Sequence, residues 1–89
     1  MDNQDLMRQT AERGRRMEEL SALLFETFDA VERNYLETML RSDPTEAALR
    51  DGIYHRVNAL RDVRKTMELV IAEGKGAEAM IAKLSKRTA

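Results

Sequence analysis

Apolar residues recur along the chain in steps of three and four, the spacing of a helix face and not of a strand. In the first half they fall at Met17, Leu20, Leu24, Phe28, Val31, Tyr35 and Met39, with Phe25, Leu36 and Leu40 widening the stripe. In the second half they fall at Leu49, Ile53, Val57, Leu60, Val63, Met67, Val70 and Ile71. Between the two stripes stands the only proline, within Arg41-Ser42-Asp43-Pro44-Thr45-Glu46. Asp43 is placed to cap a helix whose first residue is Pro44, a position where the missing N–H costs nothing. Glu46 follows at the spacing of a capping box. Pro44 also disfavours helical geometry at Asp43, so the preceding helix must stop near Arg41. A connection of about two residues turns the second helix back antiparallel to the first.

Folding the chain at this point sets a register. Leu40 comes to lie near Leu49, Leu36 near Ile53, Phe28 near Leu60, Leu20 near Val70 and Met17 near Ile71. Each apolar residue of one stripe meets an apolar residue of the other, so the local stop signal and the long-range pattern agree. Acid–base pairs such as Asp29/Arg33, Glu37/Arg41 and Glu46/Arg50 have the acid four residues ahead, and mark the solvated face.

Glycines complicate both ends. Glu73-Gly74-Lys75-Gly76 reads as a left-handed cap followed by a flexible residue, which ends the second helix at Gly74. A short third helix then carries Met80, Ile81 and Leu84 on one side, with Leu6, Met7 and Ala11 placed to pack against it. The other reading, one helix through Gly74 and Gly76, costs about 1 kcal/mol per glycine relative to alanine, and a break is favoured. Gly14, in Arg13-Gly14-Arg15-Arg16, is a second point of interruption. The expected architecture is therefore all-α: an antiparallel helical hairpin with a short C-terminal third helix, assembling into a coiled-coil-like helical bundle. One helical domain spans 1–89, with 1–14 open to fraying, helix 1 over 15–42, helix 2 over 44–73 and helix 3 over 77–87.

Composition narrows the function. At 89 residues the chain has room for one modest core, and chains of this size often gain stability from a partner. The absence of cysteine removes disulfides and thiolate metal sites. A net charge of −1 is unlike that of a protein devoted to coating nucleic acid. No apolar run approaches the ~18 residues of a membrane span, and the polar start Met1-Asp2-Asn3-Gln4-Asp5 is unlike a signal peptide. The expectation is a cytoplasmic protein with no membrane partner.

The residues that carry chemistry elsewhere are sparse here. His55 is the only histidine, and Asp51 one turn earlier supplies at most a second ligand, too few for a metal site. Glu18, Glu19, Glu26, Asp29, Glu32 and Glu37 lack the glutamate-x-x-histidine partners of a bundle metal centre. Phosphate-binding loops, dinucleotide turns and nucleophile elbows are absent. The chain is thus expected to be no enzyme and to use no cofactor or metal.

Contact residues are easier to nominate. Leu23, Phe25 and Tyr54 flank the stripes, while Met80, Leu6 and Met7 lie at the open end. Together they are the expected protein interface, because exposed apolar patches usually mark interaction sites. Gly52, in mid-helix, is a candidate for close helix approach. Arg13, Arg15, Arg16, Lys83, Lys86 and Arg87 gather at the open end as a candidate anion-binding set, with Lys75 beside them. Asp43, Glu46 and Asp51 gather at the turn as a candidate surface mimicking phosphate charge.

A longer pattern runs from about Asp29 to Leu84: Ala30-x-x-x-x-Tyr35, then Arg50-x-x-x-Tyr54-His55-x-x-x-Ala59-Leu60-x-x-Val63, then Ile71-x-x-Gly74-Lys75 and an Ala-Glu-Ala segment. This stretch resembles small helical proteins encoded among the DNA-packaging and virion-structure genes of tailed bacteriophages. The resemblance implies a virion-associated or assembly role, in host cytoplasm or virion, and transfers no functional residue. The leading expectation is a structural or interaction protein that forms a homo-oligomer or binds a larger protein. The alternative is a small regulator or inhibitor. It would bind nucleic acid through its basic end, or a nucleic-acid-binding protein through its acidic turn.

Overall fold

The computed structural model describes residues 2–88, which form two long helices packed as a hairpin, with no strand among them. Helix α1 spans Asn3–Arg41 and helix α2 spans Ala47–Thr88. The hairpin expected from the two stripes and the lone proline is present, and the short third helix is not.

Helix α1 begins well ahead of Gly14. The Asp2 carboxylate accepts the Asp5 backbone N–H at 2.8 Å, and the Asp2 carbonyl accepts that of Leu6. Asp2 is thus an N-cap that satisfies donors the first turn would leave unpaired. Residues 3–14, left open to fraying by the sequence, are helical here, and Ala11 and Gly14 are among the buried residues.

At the other end, Ser42 closes α1 by donating both its backbone N–H and its hydroxyl to the Met39 carbonyl. Asp43 then accepts the Thr45 backbone N–H and the Thr45 hydroxyl, each at 2.9 Å, while its own carbonyl accepts the Glu46 N–H. This makes a separate tight turn around Pro44. Helix α2 starts three residues later than the sequence suggested, with the Glu46 carbonyl taking the Arg50 N–H. Asp43 performs the expected stop, but caps the turn.

The chain falls into two compact units, one of Met1–Ser21 with Thr66–Ala89, the other of Ala22–Lys65. In the first, α2 runs unbroken through Gly74 and Gly76, and no described glycine adopts the left-handed conformation a cap would need. Gly74 is instead paired with Gly14. A Cβ built on Gly14 would stand 2.6 Å from the Gly74 Cα and 3.0 Å from the Val70 carbonyl oxygen. One built on Gly74 would stand 2.6 Å from the Gly14 Cα and 3.2 Å from the Thr10 carbonyl oxygen. The two backbones touch here because neither residue has a side chain. Ala11, Met67 and Ala77 complete the buried set of this unit.

The second unit is built from larger side chains. Ile53 and Val57 are its buried residues, and Leu24, Phe25, Phe28, Val31, Tyr35 and Met39 are half-buried along α1. The Phe25 and Phe28 rings lie 6.5 Å apart, tilted by 35°. Val63, expected in the apolar stripe, is exposed, and the neighbouring Arg64 takes the inner place.

Within each unit the register agrees with the sequence. Gly14 against Gly74 puts Met17 level with Ile71, and Arg64 against Phe25 puts Phe28 within a residue of the level of Leu60, while the ion pairs Glu32–Arg61 and Asp29–Arg64 reach about one turn along the helices. The enclosure expected of the other pairs fails. Leu20, Leu36, Leu40 and Leu49 all remain exposed, because two helices can cover only one narrow side of each other.

Candidate functional site

The nominated contact residues separate into two groups. Leu6, Leu23, Tyr54 and Met80 are exposed, Leu23 at 71%. Met7 and Phe25 are half-buried. Phe25 is held inside the second unit: the Arg64 guanidinium carbon lies 4.6 Å from the centre of its ring. One Arg64 nitrogen donates to the Phe25 carbonyl at 3.2 Å, and another to Asp29 at 2.6 Å. Replacing Phe25 by aspartate would therefore disturb the hairpin itself, and that position does not report on assembly alone. Tyr54 stands edge-on to His55, with ring centroids 5.7 Å apart, and both residues are exposed.

Arg64 lies outside the two apolar stripes of the sequence. Its side chain is 27% exposed, and it combines a carboxylate, a carbonyl and an aromatic face. Asp29 was expected to serve Arg33 on its own helix, yet its short contact goes across to Arg64. That hydrogen bond is the main reason its carboxyl lies below the ordinary carboxylate range, with the charges of Arg64 and Arg33 adding to it. Asp43 is likewise lowered, first by the Thr45 backbone N–H and then by the Thr45 hydroxyl. An arginine one turn from the stripe positions Leu60 and Met67, level with Phe25 at the hairpin register and within a turn of Asp29, was the legible signal.

The remaining carboxylates and bases explain the charge pattern. In the first unit Arg15 bonds to Glu78 at 3.0 Å, Arg16 pairs with Glu12, and Lys75 approaches Glu18 at 3.7 Å. The candidate anion-binding set therefore includes two arginines already engaged with acids. Arg13, Lys83, Lys86 and Arg87 are exposed on the same unit. At the turn, Asp43 is committed to Thr45, whereas Glu46 and Asp51 are exposed. Gly52 has nothing within 4 Å of a Cβ placed on it, so the close approach sought there belongs to Gly14 and Gly74.

Open depressions in the first unit are lined by mixed charged and apolar side chains, one by Arg8, Arg15 and Glu78 with Ala11, Ile81 and Ala82. Among the described residues no group of three histidine, cysteine or carboxylate side chains could hold a metal ion. No helix of the described residues is long and apolar enough to cross a membrane. What the surface does carry is a set of large apolar side chains on α1 and α2: Leu6, Leu20, Leu69 and Met80 in the first unit, Leu23, Leu36, Leu40, Leu49, Tyr54 and Val63 in the second. Comparison with protein-family models, with curated proteins and with solved structures finds no match for this chain.

Proposed function

We propose that the chain is a non-enzymatic structural or interaction protein that works by packing exposed apolar helix faces against other helices. The observation that carries this reading is the imbalance between cover and content. Among the described residues the five most enclosed apolar ones are Ala11, Ile53, Val57, Met67 and Ala77, while ten large apolar side chains stand at least two-fifths exposed. Exposed apolar area on this scale is characteristic of contact surfaces. The partner is a second copy or a larger protein, and the setting implied by the phage resemblance is a virion or its assembly in host cytoplasm. The basic cluster supports nucleic-acid binding less well, since Arg15, Arg16 and Lys75 each face a carboxylate.

The test is whether the apolar faces are used. An environment-sensitive dye that brightens on apolar surface is expected to bind the isolated chain or to be excluded by assembly. Charged substitutions at Leu20 and Leu69 should remove whichever effect is seen while helicity by circular dichroism stays unchanged. A chain that neither binds dye nor associates would show these faces to be inert.

A further inference from the structure

The first unit offers a more specific surface. Its ion pairs, Arg15–Glu78 and Glu18–Lys75, lie to one side of the Gly14–Gly74 contact. With each residue advancing about 100° round a helix, Leu6, Arg13 and Leu20 lie about 80–120° round α1 from Gly14, on the opposite side. Glu73, Met80 and Leu69 lie about 100–140° round α2 from Gly74 in the same sense, which for antiparallel helices is the same flank. The flank therefore combines two exposed apolar residues from each helix. The cause is local: backbones that touch at glycine leave no room between the helices, so large side chains at neighbouring levels are displaced outward.

We infer that this flank, centred on Leu20 and Leu69 with Leu6 and Met80 beyond them, docks the same flank of a second copy of the chain. The inference rests on the contact-face reading above and names its partner. Three observations favour a second copy. The first is area: a compact chain of 10.2 kDa is expected to expose about 5,300 Å², and this one exposes 6936 Å². The excess, on the order of 1,600 Å² over the whole chain, leaves room for the ~800 Å² that each partner contributes to a standard stable contact. The second is charge: Glu73 and Arg13 give the flank both signs, and the net charge of −1 sets up little repulsion between copies. The third is form. Both antiparallel helices present apolar residues to one flank, so a two-fold axis brings helix against helix from both chains, the arrangement of a four-helix bundle.

The experiment measures solution mass by light scattering from low to high micromolar concentration, with dye binding recorded on the same samples. The full chain is expected to move to the mass of two copies, and Leu20→Glu with Leu69→Glu to raise the dissociation constant at least a hundredfold with unchanged helicity. Leu40→Glu, at a residue 85% exposed in the other unit, should leave the dimer intact. A chain that stays monomeric throughout overturns the inference. Dye uptake by that monomer would leave the contact-face reading standing, and absence of uptake would remove both. A dimer unaffected by the two glutamates also overturns the inference, because the copies would then meet elsewhere.

Discussion

The two units solve the same problem, holding one helix against another, with opposite materials. In the first, Gly14 meets Gly74 and the buried neighbours include Ala11 and Ala77, so the helices are joined by backbone contact. In the second, Phe25, Phe28 and Arg64 fill the space between helices with rings and a guanidinium. Backbone contact gains dense packing from residues that bring little apolar area of their own. Side-chain filling gains area and hydrogen bonds, at the cost of placing an ionised group in a half-enclosed position. The first solution tolerates no added atoms; the second tolerates none removed.

Substituting at the glycine contact is expected to have the largest effect. Gly14→Val would drive two methyl groups and a Cβ into the Gly74 backbone, costing about 3 kcal/mol or more, at the top of the overpacking range. Thermal unfolding followed by circular dichroism should show the loss, with hydrogen exchange rising first in the first unit. Gly76→Ala is the matching control, because nothing lies within 4 Å of a Cβ there. It should stabilise by about 0.5–1 kcal/mol through helix propensity alone. Equal responses at the two positions would show that the glycine contact is not where packing is tight.

In the second unit, Arg64→Ala is expected to cost about 1–2 kcal/mol, since it removes a charge-assisted hydrogen bond, a carbonyl contact and a cation–aromatic contact together. Chemical denaturation checks this, and a double-mutant cycle with Asp29→Ala isolates the ion pair, which is expected to account for only a minor part of the loss at so exposed a carboxylate. If the cycle returned the whole effect, the stacking on Phe25 would carry no weight.

The smallest expected effect is acid sensitivity. Asp29 and Asp43 have carboxyls lowered in the folded chain, so the stability they add is present above the ordinary carboxylate pKa of about 4 and is lost as pH falls through their folded values. Unfolding midpoints recorded between neutrality and strong acid should decline below about pH 4. Asp29→Asn should flatten part of that decline, and Arg64→Ala should flatten the same part, because Arg64 is its main cause.

Much of this was readable from residue order. The three-and-four spacing specified helices, and Asp43-Pro44 specified where the chain turns. Those two features together fixed the level of Phe28 against Leu60. The glycines were misread because sequence alone cannot distinguish a glycine that ends a helix from one that lets another helix in. Both uses place the same residue at the end of an apolar stripe, and only the partner at Gly14 decides between them. Arg64 was missed for a similar reason: charge predicts exposure until an acid and a ring on the other helix offer it company.

The sequence by itself determined that the chain is helical, that it folds back on itself and at which residues it turns, because spacing, capping and proline geometry act over a few neighbours. The tertiary structure decided which glycines join the helices, that Arg64 displaces Val63 from the seam, and which leucines are left outside. Those outcomes depend on how each helix is rotated about its axis, and rotation is set by contacts between residues far apart in the chain.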